Sequence, residues 1–247
     1  MPYVVFDISD NVYAIPSQNV VSMYSLGTVT PMVDMPSYVR GMTEFREAVI
    51  TLYDIRILFG KLSYKDELEA FVKDCINDHA VWVDELERCA RTGNKFTLAT
   101  DPAQCGFIKR MDSFKTNNNS IRGQLTKVAA PHRRLHQAAE DVVGLISMGQ
   151  TQEALAAVAE IKATHYNDTI GLLNKIMDIY NESNREMVIA LNMGKKPFGI
   201  IVDHIIGVER LREILPIPNV DAAEYVSHVG ISDKDGSTVL MLDCSTL

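Results

Sequence analysis

The sequence predicts an α+β, multidomain protein in which a β-rich domain is interrupted by a helical insertion. Three observations carry this expectation. Both ends of the 247-residue chain are built from short, β-branched and aromatic runs, while the middle repeats its apolar residues every three to four positions. Each β-rich flank of about 60 residues is too small to bury a comfortable core alone. One β domain assembled from residues 1–63 and 185–247, with a helical domain at 64–184 between them, is the simplest arrangement.

The elements follow in order. Tyr3-Val4-Val5-Phe6-Asp7-Ile8 reads as a strand, Asp10-Asn11 as a turn, and Val12-Tyr13-Ala14-Ile15 as the return strand stopped by Pro16. Gly27, Pro31, Pro36 and Gly41 punctuate the next stretch before the strand Ala48-Val49-Ile50-Thr51-Leu52. Residues 54–60 fit a strand end or a short helical turn closed by Gly60. Then Leu68, Phe71, Val72, Cys75, His79, Trp82, Val83, Leu86 and Ala90 step by three and four, which marks a long amphipathic helix broken at Gly93-Asn94. A short second helix is expected with Asp101 as its cap and Pro102 in its first turn.

Residues 115–120 are polar and read as a loop. Leu135, Ala138, Ala139, Val142, Val143 and Ile146 predict a third helix over 131–148, stopped by Gly149. Leu155, Val158, Ile161, Ile170, Leu173, Ile176, Met177 and Tyr180 carry a fourth from Thr151 to about Asn181. Four such helices with short connections imply a bundle. Strand patterns return at 187–191 and 198–203 around a turn at 194–197, and a hairpin turn at 233–237 leads into a last strand. The chain is expected to enter the bundle through residues 62–64 and to leave it through residues 181–185.

Composition narrows the function classes. Lys and Arg number 24 against 32 Asp and Glu, a net charge of −8, which argues against sequence-independent nucleic-acid binding. Apolar residues at 47% exclude disorder as the main state. No run approaches the ~18–20 apolar residues of a membrane span. Residues 199–208, the longest apolar stretch near the C-terminus, are broken by Asp203 and His204. The N-terminus lacks the basic region of a signal peptide, so a cytoplasmic protein without membrane insertion is expected. No Gly-rich phosphate loop is present. Cys75, Cys89, Cys105 and Cys244 form no CxxC pair and, without export signals, no disulfide framework is expected. Buried thiols, a metal ligand or a redox-active thiol remain.

His132 and His136 stand four apart on the third predicted helix, so their rings project from one face. That spacing suits two imidazoles on one zinc ion. His79 sits on the apolar stripe of the first helix, three residues before Trp82, and Cys105 is expected in the first turn of the short helix, where the dipole favours a thiolate. These four residues could close a His3Cys site. The alternative is that each histidine is a hydrogen-bonded core residue, and spacing alone leaves both open. Cys75 and Cys89 read as small buried apolar residues, and His165, His204 and His228 as structural or exposed.

The helical segment, through His79-Ala80-Val81-Trp82, Asp101-Pro102-Ala103-Gln104-Cys105 and His132-Arg133-Arg134-Leu135-His136, resembles the chemoreceptor zinc-binding (CZB) domain. That resemblance implies a four-helix bundle with Zn2+ on His79, Cys105, His132 and His136. The flanks resemble the CheW-like domain through YVVFDISDNVYAIP, MPSYVRGMTEFREAVITLYDIRIL, FGIIVDHIIGV and the closing VLMLDCSTL. The fold implied is a CheW-like double five-stranded β-barrel domain interrupted by the four-helix-bundle zinc-binding domain. The family's receptor-facing Arg-Gly pair is Arg46-Glu47 here, so Arg46 alone is carried over as a partner-binding residue.

Together the resemblances imply a non-enzymatic chemotaxis adaptor between chemoreceptor tips and a CheA-type histidine kinase. Its bundle would sense zinc, or oxidation of Cys105, the one expected ligand that oxidises reversibly. Homodimerisation through the bundle is a further expectation, since bundles of this family often pair. Two rivals stand beside this reading. One is a constitutive adaptor with purely structural zinc. The other is a zinc hydrolase with three histidines and an open position, which has neither an HExxH motif nor a general base beside the ligands.

Overall fold

The computed structural model describes residues 1–183, 186–194, 196–217, 225–245 and 247. Of the expected bundle exit, Asn184 and Arg185 lie outside the described residues, as does Lys195 of the expected turn. The fold is mixed α+β, as the sequence predicts, with two five-stranded sheets and helices inserted between strands. The chain divides into two compact units, Met1–Tyr64 with Arg185–Leu247, and Lys65–Asn184.

In the first unit β1 (Pro2–Ile8) and β2 (Asn11–Pro16) form an antiparallel hairpin with Ile8 opposite Asn11. β3 (Val20–Ser25), β4 (Val39–Phe45) and β5 (Ala48–Asp54) follow, and the helical turn α1 (Ile55–Leu58) closes this half. The other half supplies β6 (Met187–Leu191), β7 (Phe198–Val202), β8 (His204–Pro216), β9 (Val226–Ser232) and β10 (Thr238–Leu242). Each sheet draws on both ends of the chain. One is a closed barrel, β1-β2-β10-β9-β8, in which β10 lies parallel to β2; the other has the order β3-β6-β7-β5-β4, with β5 parallel to β7.

The second sheet has β3 and β4 at its edges, and the segment after β3 spans the gap between them. Leu26 N–H donates to the Glu186 carbonyl at 2.7 Å, Thr43 Oγ1 donates to the Thr28 carbonyl at 2.9 Å, and Thr30 bridges Met42. Pro31, with no N–H, cannot prolong that bridge into a ladder. Gly41, at φ +134°, lets the backbones of β4 and Thr30 approach so closely that a Cβ there would collide with the Thr30 carbonyl oxygen.

β1 explains why its sequence is continuously apolar rather than alternating. Tyr3 and Val5 pack with Ala14, Val239 and Met241, while Val4, Phe6 and Ile8 turn to the opposite side and join Ile189, Leu191, Ile200 and Val202 of the second sheet. A strand buried on both faces has no polar side to show.

Residues 54–60 take the helical option. Asp54 caps α1, accepting from the N–H groups of Arg56 at 3.0 Å and Ile57 at 3.3 Å. The same buried carboxylate pairs with Arg40 at 2.8 Å, and Arg40 reaches Glu186 at 2.9 Å. Arg56, itself buried, pairs with Asp203 at 3.1 Å, and Asp203 accepts from Ser9 N–H at 2.7 Å.

The second unit contains α2 (Tyr64–Thr92, whose first residue belongs to the β unit), a 3-10 turn (Pro102–Gln104), α3 (Gly106–Ser113) and α4 (Asn119–Ser147). α5 (Thr151–Ile161) runs through a π turn (Lys162–Tyr166) into α6 (Asn167–Ser183), where the sequence predicts one plain helix. Trp82, Val83 and Leu86 of α2 pack with Leu135, Ala139 and Val142 of α4 and with Ala154, Val158 and Ile161 of α5.

α4 departs from expectation. It starts at Asn119 rather than 131, so part of the expected polar loop is helical. Asn118 supplies the cap, accepting from Ser120 N–H at 2.9 Å and Ile121 N–H at 3.2 Å. Ile121, Leu125 and Val128 extend the buried stripe, and their burial carries the helix through Pro131. No helix among the described residues is long and apolar enough to cross a membrane.

Candidate metal centre

Three elements of the helical unit deliver four side chains to one point. α2 presents His79, α4 presents His132 and His136 one turn apart, and Cys105 sits at the junction of the 3-10 turn and α3. Their ligand-capable atoms all lie within 4.8 Å of one another. The ring centroids of His132 and His136 are 4.6 Å apart, and that of His79 is 5.0 Å from His132. The 3-10 turn is set by Asp101, whose side chain accepts from Ala103 N–H at 2.9 Å and aims the chain at α2 and α4.

Burial is nearly complete for the imidazoles, at 1%, 1% and 0% exposure for His79, His132 and His136; Cys105 is half-buried. Phe107 stands edge-on to His79 at 5.3 Å and 4.7 Å from His132, while Trp82 lies 4.6 Å from His136. Trp82 is itself held by donation from Nε1 to the Ala99 carbonyl at 2.9 Å. These rings keep water away from the centre.

Such burial would suit core histidines if their nitrogens were paired, and they are not. Nε2 of His79, Nε2 of His132 and both ring nitrogens of His136 have no hydrogen-bond partner. The carbonyls of Ala99 and Thr100 lie beside the His136 ring and favour a proton there, without reaching hydrogen-bond geometry. Leaving a buried polar atom unpaired costs about 1–3 kcal/mol. His79 Nδ1 is engaged, donating to the Cys75 carbonyl at 2.7 Å, which leaves Nε2 as its bare acceptor.

Electrostatics favours the ligand form of the imidazoles. Burial, reinforced by the neighbouring histidines, pushes His132 down to about 3 and His136 down to about 4, and burial also lowers His79. All three rings are neutral at ordinary pH, as metal ligation requires. Cys105 corrects an expectation. It is the N-cap of α3 rather than a first-turn residue, and burial raises its thiol although the Phe107 N–H pulls the other way. The helix terminus alone therefore does not make a thiolate; a cation at the centre would.

Three neutral imidazoles and one thiol form a borderline-soft N/S donor set, the kind that takes zinc in a closed tetrahedral site. The unpaired nitrogens fit that group. Sequence reasoning did not reach the groups that orient the ligands. These are the Cys75 carbonyl behind His79, Phe107 against two rings, and Arg110, which pairs with Asp78 at 3.1 Å and Asp74 at 3.3 Å beside the cysteine.

The remaining residues singled out from sequence lie elsewhere. Arg46 occupies the two-residue turn between β4 and β5, exposed, at φ +56°, with its guanidinium 5.2 Å from the Phe45 ring centroid. It is therefore not a buried structural arginine. His165 is half-buried, His228 is exposed, and exposed His204 stands 3.6 Å from the Asp7 carboxylate. Cys75, Cys89 and Cys244 are buried.

Comparison with known proteins places the first part of the chain. Residues 2–76 match the family described as the CheW-like domain. The match spans β1 to β5 and ends inside α2. Among solved structures, the scaffolding protein TtCheW from Thermoanaerobacter tengcongensis aligns over 98% of this chain and 88% of its own, at 11% identity and a TM-score of 0.44. No curated protein matches.

Proposed function

We propose that this protein is a chemotaxis adaptor whose β unit docks to chemoreceptor tips and a CheA-type histidine kinase, and whose helical unit is a zinc module of the CZB kind. The CheW-like match over residues 2–76 supports the adaptor half. The observation that carries the zinc half is the set of unpaired, buried imidazole nitrogens gathered with Cys105. Arg46, exposed on its hairpin, is the residue proposed to touch a partner.

In this reading His79, Cys105, His132 and His136 hold the ion. When bound, zinc supplies a fixed positive charge that keeps the Cys105 sulfur ionised and ties α2, α3 and α4 together. The chain's own residues prepare the site. Cys75 fixes the His79 tautomer through its carbonyl, Asp101 sets the turn that delivers Cys105, and Phe107 and Trp82 exclude water. Loss of the ion, or oxidation of Cys105, then loosens three elements at once, which makes the bundle a sensor.

Metal analysis of the purified protein after dialysis tests the site: about one zinc per chain is expected, falling to a small fraction in Cys105→Ala. Undiminished stoichiometric zinc in that variant would sink the ligand assignment. A second reading, zinc as a structural staple in a constitutive adaptor, is favoured by the four-ligand closed set. Receptor and kinase binding with and without chelator separates the two, since only the sensor reading expects a change. Homodimerisation through the helical unit belongs to the same proposal and is read by sedimentation.

A further inference from the structure

A second buried thiol stands beside the metal centre. Cys75 lies one turn before His79 on α2, is fully buried, and gives its carbonyl to His79 Nδ1 at 2.7 Å. α3 comes down on that same turn. Gly106 directly follows Cys105, and a Cβ at Gly106 would lie 3.8 Å from Asp78 Oδ2. One turn further along α3, Arg110 clasps Asp78 at 3.1 Å and Asp74 at 3.3 Å, the residues bracketing Cys75. Cys75 and Cys105 thus sit on either side of the α2–α3 contact, with Cys105 gathered against His79 one turn along α2 from Cys75. Cys89, hydrogen-bonded to Glu85, is far along α2, and Cys244 belongs to the β unit. Cys75 stays outside the ligand cluster itself. A buried thiol that is adjacent to a ligand thiol, and is not itself a ligand, needs an account.

We propose that Cys75 is the resolving thiol for Cys105, so that oxidation by a hydroperoxide ends in a reversible Cys75–Cys105 disulfide. The Cys105 sulfur attacks one peroxide oxygen; the O–O bond breaks, water leaves for hydrogen peroxide, and Cys105 becomes a sulfenic acid. The Cys75 sulfur then attacks the Cys105 sulfur. The S–O bond breaks, hydroxide takes the Cys75 proton and departs as a second water, and the S–S bond forms. Two thiols lose two electrons in total, and the peroxide is reduced to two waters. The half-buried Cys105 meets the oxidant first, and buried Cys75 reacts only with its neighbour. The bond takes one ligand from the centre and pins α3 to α2, while keeping Cys105 from irreversible over-oxidation. The metal-release consequence rests on the ligand assignment proposed above; the bond itself does not.

The test treats full-length zinc-loaded and chelator-stripped protein with hydrogen peroxide, followed by non-reducing peptide mass spectrometry and a zinc-release assay. A linked pair of peptides containing Cys75 and Cys105, lighter by two hydrogens and split by dithiothreitol, is expected in both samples. Zinc release is expected to accompany it in the loaded one and to be reversed by dithiothreitol. In Cys75→Ser and Cys75→Ala, peroxide should carry Cys105 on to sulfinic acid, and dithiothreitol should no longer restore the zinc that each variant held before treatment. Persistent Cys105 sulfenic acid in the wild type, or linkage of Cys105 to Cys89 or Cys244, would overturn the proposal. If neither variant folds, the wild-type peptide map decides alone. Absence of zinc from the untreated protein would overturn the ligand assignment while the linked peptides still score the disulfide.

Discussion

His132 and His136 stay neutral down to about 3 and about 4, far below the ordinary imidazole range, because their rings are fully buried and crowd one another. His79 shifts the same way. The sign follows from which state binds protons. Above pH ~6.5 these residues are neutral in both folded and unfolded chains. Below it the unfolded chain takes up protons that the folded unit refuses, so stability falls as pH drops towards about 4. Chelator-treated protein should therefore lose on the order of 1 kcal/mol per histidine per pH unit below about 6.5. Urea midpoints at pH 7.5 and 5 read this directly. Arg46 poses a separate residue-scale test, since its φ of +56° is a conformation that glycine adopts without strain. Arg46→Gly should leave stability unchanged or raise it by up to about 1 kcal/mol, while weakening receptor or kinase docking. Thermal melts beside a binding assay separate the two effects.

At the scale of elements, α4 is the instructive case. Residues 115–120 look like a loop because they are polar, yet the helix begins among them once Asn118 satisfies two free N–H groups. Asn118→Ala should cost about 1 kcal/mol by denaturation. Pro131 offers no N–H to the carbonyl of Lys127 one turn back, a local penalty that the buried stripe on both sides overrides. The π turn at Lys162–Tyr166 had no periodicity signal, because α5 and α6 share one continuous apolar stripe in the sequence. The long helices and the strands β1, β2, β5, β6, β7 and β10 were legible, since period two and period 3.6 are local properties, whereas β3, β4, β8 and β9 were not marked by the sequence pattern. Caps, bulges and interior prolines were less so, because tertiary burial outweighs them.

Across the whole chain, the β unit depends on strands far apart in sequence. β1 and β2 close into a barrel only through β8, β9 and β10, and β5 finds its parallel partner in β7. A fragment of residues 1–64 should therefore show no cooperative unfolding transition by circular dichroism. The pair between buried Arg56 and half-buried Asp203 joins the two halves at 3.1 Å, so Arg56→Ala should destabilise the protein by about 1.5–3 kcal/mol through the loss of that charge-assisted contact.

From the sequence alone came the α+β class, the helical insertion between two β-rich flanks, and the names of four residues whose chemistry suits one metal. Periodicity suffices for the class and the insertion, because it is written within a few positions of the chain; spacing left the four residues as one of two readings, and the resemblance to the zinc-binding domain implied them as ligands. Only the tertiary structure decided which strands close the barrel, that β1 is buried on both faces, and that α2, α3 and α4 bring those four side chains within 4.8 Å. It also decided that the Cys105 thiol is raised rather than lowered, because burial at that junction outweighs the pull of one helix N–H. Contacts between distant residues, and the desolvation they impose, are properties of packing that no local pattern encodes.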